Sequence, residues 1–290
     1  MSSKNIMRLD GSFSSELKSL GFIADDHKLW TFAAIHNNSK LILQAHKNFL
    51  NAGADYLTTN TYHAAIPLMK KEGIANYEEL VAKTVRLAKQ ALKECYKGNQ
   101  AELFGSIGSY STCLRDQSEY TGSYVDNDLD IDQKMVSYYW DQIKMLHSSP
   151  NLLRNILIET VPALAEVKSL TKAIQTYLSG LPPSESVETK FFVSFTCKEN
   201  GLLRHGESIK AAADHLVYGI GINCTDKKKT CRLLFVESKK QRKTLANLRI
   251  YWFTPTVVTQ VFQIQKNSTI TCRCSRKKMS HRGRETEPPS

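Results

Sequence analysis

Six short apolar runs, separated by stretches of helical periodicity, constrain this chain more than any other feature. They are Ile6 to Leu9, ending at Asp10-Gly11; Ala54 to Asn60; Glu102 to Ile107; Asn155 to Ile158, ending at Glu159-Thr160; Phe191 to Phe195; and a run that ends at Asn223-Cys224. The intervening segments carry apolar residues at helical spacing. Ser39 can cap a helix with Ile42, Ala45, Phe49 and Ala52 on one face, closed by Gly53. Further helices are predicted over 77–95, 133–147, 163–178 and 207–215. Six βα-type units in series demand a parallel sheet with helices outside it.

Two architectures satisfy that demand. A doubly wound sheet would normally carry a glycine-rich phosphate turn after its first strand. Here that turn is Asp10-Gly11-Ser12-Phe13. A TIM-type (β/α)8 barrel gathers its chemistry at the C-terminal ends of many strands. The polar endings at Asp10, Thr59-Asn60, Gly105-Ser106, Glu159 and Asn223-Cys224 suit it. The expected fold is therefore an α/β barrel of this type. It is incomplete in the sequence, because six recognisable units fall short of eight, and the closing strands come from the tail or are absent.

The rhythm fails after Cys224, which divides the chain into a barrel domain over 1–225 and a divergent basic tail over 226–290. The whole chain has 39 Lys and Arg against 28 Asp and Glu, a net charge of +11. Residues 226–290 hold 16 of those basic residues and four of the acids, which leaves the body nearly neutral. Such asymmetry can mark a nucleic-acid or membrane-surface tail. The tail shows no recognised nucleic-acid motif, and its plainer reading is a segment not shaped by this fold. Ile250 to Phe253 is β-prone, Val257 to Phe262 alternates, and 275–290 is basic, proline-containing and expected to be disordered.

No apolar run approaches the roughly 20 residues that span a bilayer. Met1-Ser2-Ser3-Lys4-Asn5 leads into structure without an apolar signal region. The expectation is a cytoplasmic protein whose seven cysteines stay reduced and form no disulfide framework.

The strand ends carry the candidate chemistry. Asp10 can hold a substrate ammonium group or simply serve an Asp-Gly turn. Glu159 closes an apolar strand and so needs a partner. Thr58, Thr59 and Asn60 can donate to a carboxylate, although strand threonines are common for packing reasons alone. Cys224 sits at a strand break, where a thiol can bind a metal, act as a nucleophile or be a buried structural residue. A long polar loop from Gly108 to about Asp130 contains Arg115, Asp116, Glu119 and Tyr120. Loops of that length in compact domains are usually functional or disordered.

In order, the stretches Leu9-Asp10-Gly11-Ser12-Phe13, Gly53-Ala54-Asp55-Tyr56-Leu57-Thr58-Thr59-Asn60-Thr61-Tyr62, Gly105-Ser106-Ile107-Gly108, Ser118-Glu119-Tyr120-Thr121-Gly122, Glu159-Thr160-Val161-Pro162 and Gly221-Ile222-Asn223-Cys224 resemble the homocysteine S-methyltransferase family over about residues 8–225. The resemblance implies a zinc-dependent (β/α)8 barrel that moves a methyl group onto the sulfur of homocysteine, making methionine. The glycine-serine and Ser-Glu-Tyr-Thr-Gly stretches are closer to the branch that uses a methyl-sulfonium donor, S-methylmethionine or S-adenosylmethionine, than to the betaine branch. By resemblance, Asp10 and Glu159 would hold the homocysteine amino group. Gly11, Thr59 and Asn223 would complete the substrate pocket, and Cys224 would be the first zinc thiolate. The family's other two zinc ligands are an adjacent pair in a Gly-Gly-Cys-Cys motif that this chain lacks. Cys231 stands alone, and Cys272-Arg273-Cys274 has one residue between its thiols and no glycine pair before it. The resemblance thus implies an enzyme whose metal site is impaired. The alternative is a non-catalytic form that binds substrate or modulates a full-length partner.

Overall fold

The computed structural model describes residues 8–95, 101–148, 150–182, 189–215, 218–225, 249–252 and 261–263. Its centre is one sheet of seven strands in sequence order: β1 Tyr56–Thr58, β2 Glu102–Gly108, β3 Asn155–Val161, β4 Lys190–Phe195, β5 Gly219–Ile222, β6 Arg249–Trp252 and β7 Val261–Gln263. Strands β1 through β6 pair in parallel, and β7 returns antiparallel to β6. Beyond β1, Leu9 forms a single parallel bridge to Tyr56, all that the described residues contain of the first expected strand. These positions account for the six units read from the sequence. The β-prone stretch at Ile250 adds a seventh parallel strand, in register Ile220↔Ile250. No pairing among the described residues joins β7 back to Leu9, so they form an open partial barrel and not a closed eight-stranded one.

The helices lie where their apolar stripes demand. They are α1 Phe13–Ser19, α2 Ala34–Asn37, α3 Ser39–Asn51, α4 Ile66–Lys71, α5 Tyr77–Cys95, α6 Ser111–Leu114, α7 Ile131–His147, α8 Leu164–Ser179 and α9 Ile209–Ala213. In α5, Leu80, Val81, Thr84, Val85, Ala88 and Ala91 are buried, a stripe at three- and four-residue spacing. In α3, Ser39 is the first helical residue and not its cap. Asn38 takes that place without a side-chain cap bond, and it also closes α2, its N–H donating to the Ala34 carbonyl. Ser208 does cap α9, accepting the Ala211 N–H at 3.1 Å, and α9 is shorter than the expected 207–215.

Strands covered on both faces read as continuous apolar runs. In β3 the residues Ile156, Leu157 and Ile158 are all fully buried. Polar residues stand at or just past several strand ends, Thr59-Asn60 after β1, Glu159-Thr160 near the end of β3 and Asn223 after β5, and these ends meet in a single region. The charge runs of the tail, Cys231, Cys272, Cys274 and the stretch 275–290 lie outside the described residues.

Candidate active site

The strand ends surround a cavity of about 1020 Å³. Asp10, Gly11, Thr59, Glu159, Asn223 and Cys224, the six residues named from the sequence, all line it. They come from four separate segments, and parallel topology is what brings them together, since each parallel strand delivers its C-terminal end to the same side.

Asp10 is only 5% exposed. Its carboxylate accepts the Thr58 N–H at 2.7 Å and the Thr58 hydroxyl at 3.0 Å. Of the three carboxylate donors expected here, Thr58 is used on the protein's own Asp10, and the Asn60 amide donates to the Thr31 carbonyl. Burial pushes the Asp10 carboxyl well above the usual range, against the Thr58 bonds, and the nearby Glu159 charge adds to the rise. Glu159 is half-buried and accepts one bond, from the Ser106 hydroxyl at 2.5 Å. Its burial outweighs that bond and raises it to about 7. Two acids destabilised in their charged forms thus face one cavity.

Thr59 has its hydroxyl turned into the scaffold. It accepts the Ser106 N–H at 3.0 Å and shares a bond with Thr61 at 2.6 Å, which locks β1 against β2. Asn223 is likewise engaged, donating to the Thr160 hydroxyl at 2.8 Å and accepting from the Ser194 hydroxyl at 3.1 Å. Gly11 packs its α-carbon against the Phe49 ring, where an added Cβ would sit 3.0 Å from the ring edge.

Thr160 and Cys224, linked through Asn223, both have left-handed backbone, at φ +65° and +47°. For a β-branched threonine this is a genuine outlier. Such strain costs about 1–3 kcal/mol per residue and clusters at functional sites. The Cys224 thiol is raised by burial and by the Glu159 charge, with hydrogen bonds from Thr160 and Tyr120 opposing.

Zinc needs several thiolate or nitrogen ligands around an open position. Among the described residues no group of three His, Cys, Asp or Glu side chains could hold a metal ion. Cys224 is the cavity's one thiol among them. These residues alone do not make a zinc site.

Several lining residues had little or no signal in the sequence. Trp30 and His63 face the cavity with ring centroids 4.6 Å apart. The His63 Nδ1 is buried without a partner among the described residues, and burial lowers this ring to about 3, so it is neutral. Trp30 belongs to a 3-10 turn over 30–33, which has no periodicity to read. From the long loop come Ser111, Thr112, Arg115, Gln117, Glu119 and Tyr120. Their loop was legible, but their direction was not.

No helix among the described residues is long and apolar enough to cross a membrane.

Comparison with known proteins fits this geometry. A family model described as homocysteine S-methyltransferase matches residues 7–262, extending past the motif-bearing stretch through β6 and into β7. The betaine-homocysteine S-methyltransferase of Drosophila melanogaster is 32% identical over 247 residues, covering 77% of this chain and 71% of that protein. Homocysteine S-methyltransferase 1 of Zea mays is 30% identical over 235 residues, covering 75% and 68%. The metallated form of the homocysteine methyltransferase MmuM from Escherichia coli superposes with a TM-score of 0.72 at 24% identity, covering 86% of this chain and 84% of that one. An enzyme family's strand-end cavity, its ordered motifs and its fold coincide in one molecule: the chain belongs to the homocysteine S-methyltransferase family.

Proposed function

We propose that this chain binds homocysteine in the cavity and transfers to its sulfur a methyl group from a sulfonium donor, S-methylmethionine or S-adenosylmethionine. The observation that carries the reading is the pair Asp10 and Glu159. Two carboxyls from distant segments, Asp10 buried and Glu159 half-buried, line one cavity, and each is penalised in its charged form. An ammonium group between them relieves that penalty, which is the recognition homocysteine requires. Gly11, Thr59 and Asn223 shape the surrounding wall, and Cys224 marks where the substrate sulfur approaches. Glu119, half-buried on the long loop, adds negative charge that favours a cationic donor.

The chemical step is a displacement. The substrate thiolate attacks the donor methyl carbon, a new carbon–sulfur bond forms, and the donor's carbon–sulfur electron pair returns to its sulfur as a neutral thioether. The thiol must lose its proton first, because the thiolate is the nucleophile. Zinc would supply that activation in the family. The described residues offer it Cys224 alone, so no step here is routed through it.

A second reading, a homocysteine-binding chain without turnover, is favoured by one observation, the lack of a three-residue metal group among the described residues. One experiment separates the two. Titrate the full chain with homocysteine by calorimetry, measure its zinc content, and assay methionine formation with S-methylmethionine, S-adenosylmethionine and betaine. Binding with turnover on a sulfonium donor supports methyl transfer, with Cys224→Ala expected to abolish it. Binding without turnover selects the second reading. No binding overturns both.

A further inference from the structure

A broad part of the cavity wall comes from a loop attached at both flanks to one side chain. Every residue that this loop gives to the cavity lies between Ser111 and Tyr120. Just outside those limits, at Tyr110 and Tyr124, the chain bonds to the same carboxylate, that of Glu166. The Tyr110 N–H donates to Oε1 at 2.6 Å, and the Tyr124 hydroxyl donates to Oε2. A third donor, the Tyr139 hydroxyl on α7, reaches Oε1 at 2.6 Å. Glu166 itself is fully buried in the first turn of α8 and is absent from the cavity lining.

We propose that Glu166 is a positioning residue for methyl transfer, a buried clamp that closes the loop 110–124 into a rigid wall and holds Glu119 and Tyr120 against the donor side of the cavity. The inference rests on the methyltransferase reading for its catalytic consequence only. Of the three donors, only Tyr139 joins α7 to α8. The other two donors come from the two flanks of the wall, and no other side chain among the described residues bonds both flanks. The wall leans on close contacts as well. An added Cβ at Gly108 would come within 2.5 Å of the Tyr62 carbonyl, and one at Gly122, where φ is +75°, within 2.8 Å of His205 Cβ. The loop thus has little room to settle elsewhere, and the carboxylate fixes its span. A buried carboxylate with three donors is costly to deprive of them, which makes the link all-or-none.

The test uses the full chain with Glu166→Gln and Tyr124→Phe, the latter removing a single hydroxyl and keeping the ring should the former not fold. Amide exchange is followed by mass spectrometry, and kinetics are measured against homocysteine and donor separately. Expected for both variants is exchange faster by about tenfold over 110–124, with α3 and α5 unchanged. The donor KM rises about tenfold, while homocysteine affinity, set at Asp10 and Glu159, stays within about twofold. Exchange that is unchanged in the loop, or accelerated equally across α7, α8 and the loop, overturns the clamp. So does an equal loss for both substrates. If the unmodified chain neither binds homocysteine nor turns over, the methyltransferase reading falls, and the exchange pattern still decides whether Glu166 clamps the loop.

Discussion

Glu159 and Glu166 lie seven residues apart, one at the end of β3 and the other at the start of α8, and they show what burial does to a carboxylate in two settings. Glu166 is fully buried and takes three donors. Glu159 borders the cavity and takes one among the described residues, from Ser106. Both carboxyls are raised by burial, with their hydrogen bonds opposing. The donor-rich one is spent on structure. The donor-poor one keeps capacity for a ligand. The comparison teaches that a carboxylate's hydrogen-bond quota, more than its depth, separates a structural anchor from a recognition group.

The largest effect expected from this contrast is on stability. Glu166→Ala leaves two buried tyrosine hydroxyls and one N–H without their acceptor and should cost about 3 kcal/mol. Chemical denaturation measures it, and a loss below about 1 kcal/mol would erase the distinction between the two glutamates. Glu159→Gln should do the reverse. The fold loses little, while homocysteine affinity falls roughly 30-fold, the worth of about 2 kcal/mol for a hydrogen-bonded charge. Calorimetric titration reads it, and equal affinity in both proteins refutes the ammonium assignment.

A sharper form of the comparison is its pH dependence. Folding raises Glu159 to about 7, so the folded state favours the protonated form. Its contribution to stability is therefore greatest below the ordinary carboxylate value and is lost as pH rises towards 7. Ligand binding has the opposite sign, because the ammonium needs the ionised form. Homocysteine affinity should rise between pH 5.5 and 7, by up to about tenfold per unit, and level off above. In Glu159→Gln this rise should shrink to whatever Asp10 contributes. A flat profile in the unmodified protein would show that Glu159 is not the titrating partner.

The smallest expected effect concerns the outer side of the same loop. His205 bridges Asp126 on the loop at 2.9 Å and Glu207 at 2.8 Å. The Asp126 bond, followed by that of Glu207, raises the imidazole. This stabilisation is full below the ordinary histidine value and is lost as pH rises through the raised one. For so exposed an arrangement the gain is less than about 1 kcal/mol. His205→Gln should therefore barely move the midpoint of unfolding at pH 8, and a large shift there would mean that the outer side, and not Glu166, secures the loop.

Much of the molecule was legible in its residues. The α5 stripe marked the helix from about Tyr77, because a long amphipathic helix buries one apolar side, and the described residues carry it through to Cys95. Asp10, Thr59, Glu159, Asn223 and Cys224 stood out as polar residues closing apolar runs, and a parallel sheet sends such ends to one place. Trp30 and His63 did not stand out, since a 3-10 turn and a turn residue carry no period. Ser39 was read as a cap although the preceding one-turn helix runs straight into Asn38, a junction that only the fold reveals.

The sequence by itself determined the serial βα order, the polar strand ends and the membership of a family, because periodicity and ordered motifs are local properties of the chain. Only the tertiary structure decided how far the sheet extends, with β6 and β7 joining an open edge and no closure among the described residues. It also decided that Thr58 donates to Asp10 across two segments, and that one buried glutamate bonds both flanks of the cavity loop. Those outcomes depend on bonds between residues 27 to 56 positions apart or on strand edges, and no local pattern encodes which distant donor reaches a buried acceptor first.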